Sequence, residues 1–95
     1  MKKAEKSAIL NHYGKTCNKF FTQVIKQETA KNYEEEKRHR HYRELAAAEL
    51  ETLEILAKSL SIDLYLEFKE IYQKHENAYF YYKNNERNVK NVIQN

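Results

Sequence analysis

Apolar residues recur at every third or fourth position between Tyr42 and Leu60, and this spacing stacks side chains along one face of an α-helix. The repeat comprises Tyr42, Ala46, Leu50, Leu53, Ala57 and Leu60. The chain has no proline and one glycine in 95 residues, so little in it ends a helix or makes the turns of an all-β fold. The sequence therefore predicts an all-α fold organised around one long central helix.

Two further helices are indicated by apolar periodicity on either side of the central one. We expect helices at about 3–28, 32–60 and 62–83, in a single helical domain that covers 1–95. Residues 84–95 are rich in asparagine and charge, so this tail is predicted to be weakly helical or frayed. The expected architecture is an antiparallel three-helix bundle with long helices and coiled-coil-like seams.

Short polar side chains stand where the second and third helices should begin. Thr29 or Asn32 can accept hydrogen bonds from the free amides of the second helix, and Ser61 or Asp63 can do so for the third. The second break is short, so the second and third helices are expected to pack antiparallel to each other. The first helix contains Gly14, and because its apolar face continues through that residue we expect one helix, kinked or straight, with a break at Gly14 as the alternative.

The predicted core of the two outer helices is bulky and aromatic. In the first helix it comprises Leu10, Tyr13, Cys17, Phe20 and Val24, widened by Ile9, Phe21 and Ile25. In the third it comprises Leu64, Phe68, Ile71, His75, Ala78 and Tyr82, with Tyr65, Tyr72 and Tyr79 beside them.

The sequence predicts a cytoplasmic protein that does not enter a membrane. Its single cysteine cannot form an intrachain disulfide, and the start of the chain lacks the apolar run of a signal peptide. The longest nearly apolar run, 45–50, falls far short of the about 20 residues that span a bilayer.

No residue pattern indicates catalysis, a cofactor or a metal, so we expect the protein not to be an enzyme. Glu36 and His39 have the spacing of half a di-metal site, but the other half is absent from the sequence. Cys17 and His75 lie on apolar faces, where a core role is expected. Gly14-Lys15-Thr16 resembles the end of a phosphate-binding loop but lacks its first glycine.

Charge is densest between residues 34 and 44. Acids and bases three or four positions apart can pair on a helix, which would give a solvated, self-paired surface. The alternative is that the excess cations bind an anionic partner such as the backbone of DNA or RNA, without sequence specificity. These candidate contacts are Lys37, Arg38, Arg40 and Arg43.

Four consecutive aromatic residues, 79–82, sweep most of the circumference of a helix, and one buried face cannot hold them all. With Tyr79 and Tyr82 expected on the core side, Phe80 and Tyr81 are expected to be exposed. Exposed aromatic side chains next to basic ones are typical of protein interfaces. The alternative is that they stack on the bases of single-stranded nucleic acid. The predicted partner-binding residues are Phe80, Tyr81, Lys83 and Arg87.

Together these patterns favour a small non-catalytic helical binding protein that docks on a larger protein and modulates or inhibits it. The abundance of Lys, Asn and Tyr suggests an AT-rich coding source. A compact domain without catalytic residues fits a regulator or inhibitor such as phages and other mobile elements encode. The alternative function is nucleic-acid binding through the basic residues. The apolar width of the helices favours a homodimer or a hetero-complex.

Overall fold

The structure, a computed structural model, describes the backbone of residues 2–94 and the side chains of residues 3–85. Three α-helices make up the chain: α1 (Lys2–Glu28), α2 (Tyr33–Ser59) and α3 (Tyr65–Gln94). The prediction of an all-α three-helix bundle is confirmed. The first helix runs through Gly14 without a break.

Asn32 begins α2, since its Oδ1 accepts a hydrogen bond from the Glu35 amide at 2.9 Å. Asp63 supports the start of α3, where its Oδ1 accepts one from the Tyr65 amide at 3.3 Å. The third helix extends beyond its predicted end near residue 83, and its backbone is helical to Gln94. Residues 84–94 contain neither glycine nor proline, so nothing in the sequence ends the helix earlier.

A tight turn that follows α2 reverses the chain. The Ile62 amide donates to the Ala57 carbonyl at 2.9 Å and the Ser61 amide donates to the Lys58 carbonyl at 3.0 Å, the two hydrogen bonds of a Schellman motif. Ser61 has a φ of 57°, in the left-handed region that such a motif requires. Ile62 and Ala57 are both buried in the same core cluster, which fixes the turn against the bundle.

The central helix of the bundle is α1, which packs against both α2 and α3. Its contacts with α2 run antiparallel, from Gln27–Glu36 at one end to His12–Glu49 near the other. Its contacts with α3 run parallel, since Phe68 packs on Tyr13 and later residues of α3 meet the end of α1.

The helices α2 and α3 run antiparallel, as predicted, but among the described residues they make few contacts with each other, so the expected packing of these two helices with α2 at the centre is wrong. The physical reason lies in residue size. The small residues Ala46 and Ala57 let α2 approach α1 closely, whereas bulky aromatics such as Phe20 and Phe21 give α1 a second apolar face for α3.

The three helices form a flat, elongated layer. The Cα atoms extend 57 × 28 × 15 Å, and their radius of gyration of 16.4 Å exceeds the about 12 Å of a compact domain of this length. The core lies on the two sides of α1. Its members are Ile9, Tyr13, Cys17, Leu50, Leu53, Ala57, Ile62, Leu64 and Phe68.

Five residues predicted in the core are exposed: Tyr42, Leu60, Tyr65, Ala78 and Tyr82. Tyr42 and Leu60 each lie about 80° around α2 from the buried Leu50, on the same side, so they fall at the edge of the face that meets α1. Tyr65 is the first residue of α3 and lies at the margin between α2 and α3.

Candidate functional site

The aromatic residues of α3 divide between the core and the surface. Tyr79 packs on Phe21 of α1, with ring centroids 5.6 Å apart. Phe80 and Tyr81 are 53% and 70% exposed, which confirms their predicted exposure. Tyr82, predicted on the core side, is 44% exposed instead, because α1 ends at Glu28 beside Tyr79 and Lys83 and leaves nothing to cover it.

Lys83, a predicted partner-binding residue, is engaged within the chain. Its Nζ donates to Glu28 Oε2 at 2.5 Å, and the hydroxyl of Tyr79 donates to the same carboxylate. Burial alone would raise the pKa of the Glu28 carboxyl, but these two hydrogen bonds and the Lys83 charge hold it below its usual value. Burial and the Glu28 carboxylate raise the pKa of Tyr79 to about 12. The side chain of Arg87, the remaining predicted contact, lies outside the described residues.

A groove of about 1110 Å³ opens between α2 and α3, where these helices diverge over α1. Tyr13 and Phe20 of α1 lie at its floor, together with Phe68 and Tyr72 of α3. Charged residues of both flanking helices line its walls. They are Glu51, Glu54 and Lys58 of α2, Asp63 of the turn, and Lys69 and Glu76 of α3.

Two glutamates of the groove, Glu54 and Glu76, affect the pKa values of nearby tyrosine and cysteine side chains. The Tyr13 hydroxyl donates to Glu54 Oε1 at 3.3 Å. Burial, with the negative charge of Glu54 added, raises the pKa of Tyr13 well above its usual range and that of the Cys17 thiol to about 11. Burial and the charge of Glu76 also raise the pKa of Tyr72. The floor of the groove is therefore apolar and lies in a negative field.

The four basic residues proposed to meet an anionic partner do not form one surface. Lys37 and Arg38 are exposed, whereas Arg40 and Arg43 are half-buried. Arg40 Nη2 lies 4.0 Å from Glu36 Oε2, and this is the one ion pair that the described residues show for these four cations. Helical spacing places Arg38 on a different side of α2 from Arg40 and Arg43. Lys37, Arg40 and Arg43 therefore share one side of the helix, and Arg38 is separated from them.

The residues of the half di-metal pattern both turn toward α1. Glu36 Oε1 accepts a hydrogen bond from Gln27 Nε2 at 2.8 Å, and His39 Nδ1 donates to Gln23 Oε1 at 2.8 Å. Nowhere in the described part of the chain do three or more His, Cys, Asp or Glu side chains converge as a metal site would require. Glu36 and His39 instead fasten α2 to α1.

Cys17 and His75 occupy positions in or beside the core, as predicted. Cys17 is fully buried, and its raised pKa keeps it a thiol, which is a poor nucleophile. His75 Nδ1 donates to the Ile71 carbonyl at 3.0 Å, one turn earlier in α3. The surroundings of both side chains therefore fit a structural role.

Sequence reasoning missed the groove and the residues that line it. Glu51 and Glu54 are three residues apart and share one side of α2, but only the position of α3 makes that side a wall of the groove. One signal was available: the adjacent Phe20 and Phe21 widen the apolar face of α1, and in the structure both rings contact Tyr72 of α3.

No family model, curated protein or solved structure matches the chain. None of the helices, over the residues that the structure describes, has the length of apolar sequence needed to cross a bilayer. The function must therefore be argued from the surfaces of the molecule.

Proposed function

We propose that the protein is a small non-catalytic helical binding protein that docks on a larger protein in the cytoplasm and modulates or inhibits it. One observation carries this proposal: Phe80 and Tyr81 are adjacent, large and aromatic, and both are exposed on an ordered helix. Aromatic side chains supply much of the binding energy at protein interfaces because they bury a large area with few rotatable bonds.

The fold supports the presentation of these two residues. Tyr79 is anchored to α1 through Phe21 and Glu28, and Lys83 is anchored to Glu28. The two anchors flank Phe80 and Tyr81 in sequence, so the exposed rings extend from a helical turn fixed at both ends. A partner that binds them does not have to order this turn, which lowers the entropic cost of association.

Affinity capture tests the proposal with the intact chain. Immobilised protein is incubated with lysate of the source cells, with and without nuclease, and the captured proteins are compared among variants. We expect nuclease-resistant capture of a defined partner, lost in Phe80→Ala and Tyr81→Ala. Tyr33→Ala is a matched control, because Tyr33 is 66% exposed but lies at the start of α2. Equal capture by all variants would contradict the proposed surface.

Nucleic-acid binding remains the second candidate function, supported by the exposure of Lys37 and Arg38. Binding of this kind weakens steeply with salt, by a slope near one for each phosphate contacted. It would also appear as capture that nuclease removes. A protein interface centred on Phe80 and Tyr81 should respond little to salt, so a salt titration separates the two functions.

A homodimer is also proposed, supported by an apolar stripe along one side of α2. Tyr42, Leu45, Leu56 and Leu60 are exposed there at helical spacing. Sedimentation equilibrium of the wild-type chain and of Leu45→Glu tests this. We expect a dimer that Leu45→Glu converts to monomer, with Ala47→Glu on the opposite side of α2 as control. A wild-type monomer at all concentrations would contradict it.

A further inference from the structure

The groove between α2 and α3 leaves one face of α1 without a helical neighbour. We propose that this groove binds one cationic amphipathic helix of the partner protein, which lies over α1 as a fourth helix. The inference rests on the proposed protein-binding function and adds to it a second contact surface and the chemistry of the segment that fills it.

The shape of the groove fits a helix of about three turns. Its walls extend from Ala47 to Lys58 on α2 and from Tyr65 to Glu76 on α3, about 16 Å on each side at 1.5 Å per residue. Four-helix bundles complete their cores by placing apolar residues of a helix between two neighbours. The volume of about 1110 Å³ accommodates several large side chains from such a helix.

The floor supplies apolar contact. Phe20 and Tyr72 are half-buried, and their rings lie 6.3 Å apart, centroid to centroid, at the junction of α1 and α3. A partner helix that places aliphatic side chains over these rings would remove their remaining surface from water. This contact favours an amphipathic helix over an entirely polar one.

The walls determine the sign of the partner's charge. Four carboxylates line the groove (Glu51, Glu54, Asp63 and Glu76) against two ammonium groups (Lys58 and Lys69). At the floor, burial raises the pKa values of the Tyr13 and Tyr72 hydroxyls, and the negative charges of Glu54 and Glu76 add to this. Lysine or arginine flanking the apolar stripe of the partner would pair with these acids, whereas an acidic helix or a phosphate backbone would be repelled.

Ala47 and Ala48 provide a matched pair of variants. Both are exposed and adjacent on α2, but Ala47 lines the groove and Ala48 does not. Ala47→Arg places a large cation in the groove, while Ala48→Arg places the same side chain outside it. Because both substitutions introduce a good helix former at an exposed site, both variants should fold, which circular dichroism verifies.

The probe is a fluorescein-labelled leucine–lysine peptide of about 18 residues, designed as an amphipathic helix of about five turns. Its binding to the full chain is measured by fluorescence anisotropy at moderate salt. We expect saturable binding that Ala47→Arg weakens by about tenfold or more, while Ala48→Arg changes it by less than about twofold, because like charge is placed only in the groove. Glu51→Gln should weaken binding several-fold, and Glu70→Gln on the outer side of α3 should not.

Three results would overturn the inference: no saturable binding, equal weakening by both arginine variants, or equally tight binding of a leucine–glutamate peptide. A wild-type dimer that Ala47→Arg alone converts to monomer would also overturn it, since a second copy would then fill the groove. Capture of the natural partner separates the two proposals. A partner lost in Phe80→Ala but kept by Ala47→Arg supports the proposed function and refutes the groove.

Discussion

Lys83 Nζ donates to Glu28 Oε2 at 2.5 Å and so joins the last residue of α1 to a residue 55 positions later on α3. The Tyr79 hydroxyl donates to the same carboxylate, so Glu28 makes two polar contacts across this end of the α1–α3 interface. Because neither group is fully buried, the contact is accessible to titration and salt.

Glu28→Gln should lower stability at neutral pH and make little difference in acid. The folded-state pKa of Glu28 is depressed, so its contribution is complete above the unfolded value of about 4.5 and is lost as the pH falls through the folded value. Urea unfolding of both proteins between pH 7 and pH 3 measures this. Glu34→Gln, at an exposed site of α2 outside this contact, is the control. A difference that is independent of pH would contradict the assignment.

Ser61→Gly should stabilise the protein by about 0.5–1 kcal/mol. Ser61 has a positive φ, a conformation that is unfavourable for a residue with a Cβ atom but not for glycine. The free energy gained by removing this strain should exceed the entropic cost of ordering glycine on folding. Thermal and urea unfolding give the difference. Ser61→Ala retains the Cβ atom and should not stabilise; a gain as large in Ser61→Ala would argue against a backbone origin.

Gly14→Ala should also raise the free energy of unfolding, by about 1 kcal/mol, because alanine favours a helix interior. An added Cβ would meet Ile71 Cγ2 at 3.9 Å, an ordinary van der Waals contact, so the α1–α3 interface has room for it. Urea unfolding measures the change. A loss of stability would show that α1 and α3 approach more closely at this point than the structure indicates.

Phe68→Ala and Phe80→Ala test the division of the aromatic residues on α3. Phe68 is buried and stacks on Tyr13 with centroids 4.3 Å apart, so its loss should cost about 3–5 kcal/mol. Phe80 is half exposed, and its loss should cost less than about 1 kcal/mol. Denaturant unfolding of the two variants provides the comparison. Similar costs would mean that Phe80 also belongs to the core.

Helix positions followed from the sequence because they depend on nearby residues. Asn32 caps α2 through an amide three residues away, and the burial of Leu50, Leu53 and Ala57 follows from their spacing. The pairing of the helices did not follow from the sequence, because periodicity identifies the apolar face of a helix but not the helix that packs against it. Tyr42 matched the repeat and is nevertheless exposed.

The candidate sites were likewise predictable only where neighbouring residues in the sequence determine them. The exposure of Phe80 and Tyr81 could be predicted, because four consecutive aromatics cannot share one helix face. The engagement of Lys83 by Glu28 could not, because the two residues are far apart in sequence. The groove could not be predicted either, because it requires that α2 and α3 both pack on α1 rather than on each other.

The helix α1 packs against both other helices, and its two interfaces are expected to differ in stability. α1 and α2 form a helical hairpin that is contiguous in sequence and more extensively packed than the contact of α1 with α3. The hairpin should therefore be the more stable unit, and α3 should detach in sub-global openings while the hairpin stays folded. Native-state hydrogen exchange would then show the amides of α3 exchanging faster than those at the α1–α2 interface. Transient release of α3 would widen the space beside α2, so a partner helix could enter before α3 closes on it.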